Sequence, residues 1–164
     1  MDTSLNNQPM INNISAKIEK LLNQHHCIYE VKHHPPTRTS EESAKYRNEP
    51  LKIGAKAMVL KADNHFIMAV LPADRRLNSQ TLKKYLDCKN LRFATGEELF
   101  QLTSLVPGAV PPFGLLFNLR MMVDEALFSE EFMAFNAGSL EQSIKMKTQD
   151  YAQIIQPETL SFTT

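Results

Sequence analysis

Lys56-Ala57-Met58-Val59-Leu60, then Asp63-Asn64, then His65-Phe66-Ile67-Met68-Ala69-Val70-Leu71 is the stretch that decides the fold. Two apolar runs of strand length flank a polar step, and Asp and Asn tolerate the left-handed backbone that a tight turn demands. A β-hairpin is the simplest account. The unbroken apolar part, Phe66 to Leu71, is six residues long, where a helix spanning a bilayer needs about twenty. The run therefore belongs in the core of a globular protein, with no membrane partner implied.

Upstream, Ile11, Ile14, Ile18, Leu21 and Leu22 recur at steps of three and four, which predicts a helix over 11–25. Alternation in Cys27-Ile28-Tyr29-Glu30-Val31-Lys32 predicts a strand that ends at Pro35-Pro36. Thr39 followed by Glu42 has capping-box spacing and opens a short helix over 40–48. Downstream, Leu82, Tyr85 and Leu86 mark a helix over 79–87, and Leu91 to Ala94 a short strand. Thr95 with Glu98 repeats the capping box and opens a helix to 103. After a proline-rich stretch, Leu115–Val123, Phe132–Asn136 and Gln142–Lys147 read as strands and Gln149–Ile155 as a closing helix. Strands outnumber helices and neighbours are close in sequence. The expected class is α/β: a mixed, mostly antiparallel sheet with peripheral helices.

The 164 residues are 43% hydrophobic and 22% charged, which fits one domain over 11–164 behind a polar lead-in over 1–10. That lead-in has neither the basic start nor the apolar centre of a secretory signal. Cys27 and Cys88 form no CxxC and read as buried thiols of a reducing compartment, so cytoplasm is expected. Eighteen basic residues cancel eighteen acidic ones, so no global field draws the chain to nucleic acid. The charge is nevertheless uneven. From Lys32 to Arg92 there are thirteen Lys/Arg against six Asp/Glu, and from Phe93 onward three against nine. The basic middle is either scattered solvated charge or a surface for an anionic ligand.

Sharp catalytic signatures are missing. Neither GxxxxGK[ST] nor GxGxxG occurs, which removes phosphate-loop and dinucleotide readings, and GxSxG and HExxH are absent. His33 and His34 are adjacent and on a strand point to opposite faces, so no metal or cofactor is expected. What remains is a lysine and a loop. Alternation places Lys56 with Met58 and Leu60, where it is either a cation held among apolar neighbours for an anionic or carbonyl partner, or a side chain snorkelling from a wet face. Residues 107–114 hold three of nine prolines and two of five glycines. Such a loop is stiff, and its N–H groups at Gly108, Ala109, Val110, Phe113 and Gly114 are either a preorganised donor set for a carbonyl oxygen or part of a plain connector. Asn136-Ala137-Gly138-Ser139 is a third place where small residues allow close backbone approach.

Taken in order, His33-His34-Pro35-Pro36-Thr37-Arg38-Thr39-Ser40-Glu41-Glu42-Ser43-Ala44, Gly54 to Leu60, Pro107 to Leu115 and Asn136 to Ser139 resemble the successive motifs of the YbaK-type aminoacyl-tRNA deacylases, which are similar to the editing domain inserted in bacterial prolyl-tRNA synthetases. The resemblance covers about residues 11–156. It implies a compact α/β fold whose sheet curls toward a barrel, and a freestanding hydrolase that cleaves a wrong amino acid from the 3′ acceptor end of a tRNA. In that family no side chain is a covalent nucleophile; water attacks with help from the terminal ribose 2′-hydroxyl. The resemblance makes Lys56 and Gly108 catalytic, and Thr39, Ala109, Val110, Pro112, Phe113, Gly138 and Ser139 substrate-binding. Partners implied are aminoacyl-tRNA and a synthetase or elongation factor that delivers it. The rival is a binding module of the same fold that recognises an aminoacyl-adenosine end without hydrolysing it.

Overall fold

The computed structural model describes the backbone from Pro9 to Thr164 and the side chains from Ile14 onward. The lead-in expected over 1–10 lies outside the described residues except for Pro9 and Met10, which begin the first helix. The hairpin is present: β2 (Ala55–Ala62) pairs antiparallel with β3 (His65–Pro72), with Lys56 opposite Leu71 and Val59 opposite Met68. Asp63 takes the left-handed conformation at φ 53°. Its carboxylate accepts the N–H of Lys89 and Asn90, tying the turn to β4 (Leu91–Phe93).

From Phe66 onward β3 is apolar because both its faces are covered, the pattern of a central strand. On one face Met68 and Val70 join Val59, Phe135, Ile144 and Met146 with Ile14, Ile18 and Leu22 of α1 (Pro9–Gln24). On the other, Ile67, Ala69 and Leu71 pack with Leu60, Phe162 and Leu82 of α3 (Ser79–Leu86). Burying each large aliphatic side chain contributes about 2 kcal/mol.

Beside the hairpin run β5 (Arg120–Asp124) and β8 (Glu158–Leu160), giving a five-stranded order β4-β2-β3-β5-β8. A second sheet has the order β1-β7-β6, from Tyr29–His33, Gln142–Lys147 and Phe132–Asn136. Neither sheet closes on itself. They touch through a parallel bridge between Gly54 and Ala134. The approach at Gly54 is close: a Cβ would stand 3.1 Å from the Ala73 Cβ and 3.2 Å from the Leu51 carbonyl. Within the described sheets four strand pairs are antiparallel, while β3–β5 and β5–β8 are parallel.

Other local expectations shift. The predicted strand over Leu115–Val123 begins as a 3₁₀ turn, Gly114–Phe117, then reverses at left-handed Asn118 before β5. The reversal is tight enough that a Cβ at Gly114 would lie 2.5 Å from the Leu119 carbonyl. α2 (Ser40–Arg47) is capped by Thr39, whose hydroxyl accepts the Glu42 N–H, but Glu42 reaches Arg38 N–H and leaves the box half made. α4 (Gly96–Thr103) carries the full box between Thr95 and Glu98. α5 (Thr148–Ile155) closes the main core with Tyr151. Both cysteines are half-buried and unpaired, not fully buried as expected.

Candidate functional site

A cleft of about 220 Å³ opens at the seam between the sheets, lined by α2, the start of β2, the 107–114 loop and the end of β6. Four of the expected site residues meet there: Thr39, Lys56, Gly108 and Val110. Gly108 adopts φ 88°, a conformation that L side chains rarely take, and its carbonyl accepts the Asn136 side-chain N–H at 2.8 Å. Gly138, also left-handed at φ 83°, donates its N–H to the Ala109 carbonyl at 2.9 Å. The loop is thus pinned by two successive carbonyls.

That pinning sets the loop's donors. Ala109 N–H goes to the Val106 carbonyl, Phe113 N–H to the Pro111 carbonyl and Gly114 N–H to the Met121 sulfur. Among the described residues the N–H groups of Gly108 and Val110 have no acceptor, and both residues line the cleft. Every peptide bond described is trans, so the Ala109 carbonyl and Val110 N–H point in opposite directions. Fixing the carbonyl on Gly138 therefore fixes the amide.

The remaining expected residues are placed elsewhere. Ala109 and Phe113 are buried in the main core; the Phe113 ring stands edge-on to Phe135 at 5.3 Å and Tyr151 at 5.6 Å. The Pro112 carbonyl is taken by the Tyr151 hydroxyl, which burial keeps protonated. Gly138 abuts α1, where a Cβ would come within 2.8 Å of Ile14. Ser139 is spent in a turn, accepting the Glu141 N–H. These five shape the loop and its footing but do not line the cleft, because an apolar loop beside a core buries its apolar side chains first.

Lys56 is half-buried at the rim, and its ammonium reaches the Arg75 carbonyl at 3.5 Å in an exposed contact. Of the two readings of this lysine, its placement fits the side chain that snorkels from a partly wet face. Met58 and Leu60, on its face of the strand, pack toward α3, and the lysine lies where that face runs out to solvent.

Sequence reasoning missed the cleft's closed end. Thr37, Ser43 and Arg47 line it and are 2%, 5% and 4% exposed. The Thr37 and Ser43 hydroxyls bond each other at 2.7 Å. Arg47 Nη1 donates to Ser143 Oγ at 3.4 Å, while the buried Nε lies 3.8 Å from the buried Glu49 Oε2, neither of them with a hydrogen-bond partner among the described residues. Burial pushes the Arg47 guanidinium below its ordinary value, and the Glu49 charge opposes that. Glu49, its side chain 8% exposed, also meets Lys145 at 2.9 Å and Lys32 at 3.8 Å. Ser143 donates to Asn136 Oδ1 at 3.1 Å and meets His34 Nε2 at 2.7 Å, so polar contacts run from His34 to the Gly108 carbonyl. Among the described residues the cations lining the cleft are Arg38, Arg47 and Lys56, and no carboxylate lines it.

An apolar-floored cleft with two unspent amides beside a lysine suits a polarised carbonyl. The comparisons with known proteins give the class. Residues 34–154 match the aminoacyl-tRNA editing domain, and the chain belongs to that family. It is 34% identical over 147 residues to the multifunctional Ser/Thr-tRNA deacylase ProXp-y of Escherichia coli strain K12, covering 87% of this chain and 88% of that protein. It is 36% identical over 80 residues to the proline–tRNA ligase of Thermosipho africanus, covering 49% of this chain but 14% of the ligase. Among solved structures, one proposed to be a trans-editing enzyme for prolyl tRNA synthetase superposes with a TM-score of 0.83 at 20% identity, over 96% of this chain and 98% of that one, which establishes the fold.

Proposed function

We propose that this chain is a freestanding deacylase that hydrolyses mischarged aminoacyl-tRNA, with serine and threonine as the amino acids removed. The observation that carries the reading is the convergence of Lys56 and the Gly108 loop, fifty residues apart in sequence, on one cleft. The family and the relation to a Ser/Thr-tRNA deacylase support it.

In this reading the ester carbonyl at the tRNA 3′ end lies against the N–H groups of Gly108 and Val110. Water attacks the carbonyl carbon, the ribose 2′-hydroxyl assists in removing its proton, and the two amides receive the developing oxyanion. Each well-placed donor of this kind is worth about 3 kcal/mol. The bond from carbon to the 3′ oxygen then breaks, that oxygen takes a proton, and free amino acid and tRNA leave. Lys56 at the rim, with Arg38 and the nearby Arg75, holds the terminal phosphates. With no net charge over the whole chain, general affinity for tRNA is modest, and delivery by a synthetase or elongation factor is part of the proposal.

The test is a panel of mischarged tRNAs incubated with wild type and Lys56→Ala. The variant is expected to lose deacylation by about 100-fold or more, as for loss of a charge that positions the ester for attack, while its thermal melt stays close to wild type. Equal turnover by the two proteins removes the lysine from the mechanism. No turnover of any member by wild type refutes the deacylase.

A further inference from the structure

The two ends of the cleft differ in exposure. Arg38, Thr39 and Gly108 at the mouth are exposed and Lys56 is half-buried, whereas Thr37, Ser43 and Arg47 at the far end are almost wholly buried.

Buried polar groups in native proteins are nearly always satisfied, and one that is not calls for an explanation. Arg47 is 4% exposed, has five N–H donors and makes one long hydrogen bond to Ser143; its fully buried unpartnered atom is Nε, 3.8 Å from Glu49, while Nη2, also without a hydrogen bond among the described residues, is not fully buried. Nη2 faces the cleft wall at Gly54, where a built Cβ would stand 3.5 Å from it. Thr37 and Ser43 add a hydroxyl pair in which one hydrogen makes the mutual bond and the other remains free to donate. The closed end therefore presents donors and asks for an oxygen. An ammonium side chain finds no carboxylate there, and an apolar one leaves the guanidinium unpaired.

We infer that Arg47, with the Thr37–Ser43 hydroxyl pair, is the specificity-determining group of the cleft, donating to the side-chain hydroxyl of the attached serine or threonine while the ester lies at the Gly108 mouth. This rests on the deacylase reading and adds the residues that select its substrate. A site that hydrogen-bonds a substrate hydroxyl rejects the analogue lacking it far more strongly than an apolar pocket separates two sizes.

The experiment compares single-turnover hydrolysis of seryl- and alanyl-tRNA, and of threonyl- and valyl-tRNA, on the same tRNA body. Wild type is expected to favour the hydroxylated member of each pair by on the order of 100-fold. Arg47→Met, similar in length and without donors, brings the ratio to within about threefold by slowing only the hydroxylated member. Arg47→Lys keeps a charge beside Glu49 and recovers part of the preference. Equal slowing of both members by Arg47→Met overturns the inference and leaves Arg47 a structural ion pair; so does a wild-type ratio near one. Because Arg47→Met can unfold the chain, calorimetry with wild type and the stable amides seryl- and alanyl-3′-amino-3′-deoxyadenosine gives a second readout. Tighter binding of the seryl amide supports the subsite even where wild type hydrolyses nothing, an outcome that refutes only the deacylase, and equal affinity overturns the subsite.

Discussion

The mouth and the closed end of the cleft are built on opposite principles. At the mouth, the Gly108 loop is held by backbone hydrogen bonds and by Phe113 anchored under it between Phe135 and Tyr151. At the closed end, Arg47, Lys32 and Lys145 surround the single carboxylate of Glu49. One arrangement fixes where amides sit by bonds between neutral groups. The other keeps a cation in a buried place and is only as stable as its counter-ion. A loss at the mouth should therefore be read in rate, and a loss at the closed end in stability.

Glu49→Gln breaks the comparison hardest. It removes the carboxylate shared by three cations and leaves Arg47 buried and uncompensated, at an expected cost of about 3 kcal/mol, measured by urea unfolding. A change under about 0.5 kcal/mol, the size of an ordinary surface effect, would mean that solvent already screens the cluster. Gly108→Ala tests the mouth. Forcing an L side chain into φ 88° costs about 1–2 kcal/mol, and the displaced amides should lower deacylation by about 100-fold. Gly96→Ala is its control, since nothing lies within 4 Å of a Cβ there; activity should be unchanged. The smallest effect belongs to a third region, the exposed Arg92–Glu98 pair at the start of α4. Arg92 and the Thr95 N–H hold the Glu98 carboxyl at about 2, below its ordinary 4.5. A depressed folded-state value means the contribution is complete above pH 4.5 and lost as pH falls toward 2. Glu98→Gln should flatten that stretch of the stability profile, followed by thermal melts across pH, and leave neutral-pH activity alone.

The hairpin and the loop were legible because their signals are local. Asp63-Asn64 between apolar runs can hardly be anything but a turn, and Pro and Gly at 107–114 announce a stiff loop. The same stretch misled in detail, because donors were counted from residue type alone. Ala109, Phe113 and Gly114 spend their amides within the fold, which only coordinates reveal. Arg47 was invisible for a different reason. α2 reads SEESAKYR, polar on every side, so no apolar stripe shows that Ser43, Ala44 and Arg47 face inward. The parallel pairing of β3 with β5 joins segments some fifty residues apart, and nothing in either strand's own pattern names its neighbour. Asn118, left-handed at φ 56°, split a run that reads as continuous strand.

β3 is sheltered on every side once the chain is complete, but its two edges are covered at very different times. β2 comes before it, whereas β5, which covers the other edge, begins only at Arg120. At about 5–20 residues per second, a ribosome needs several seconds to bridge that interval. For that time Phe66 to Leu71, six apolar residues without a charge or a proline, expose a row of free N–H and C=O groups to any similar strand nearby. The nascent protein's most vulnerable moment thus falls in the middle of its own synthesis, and slowing translation between codons 72 and 120 should raise the insoluble fraction.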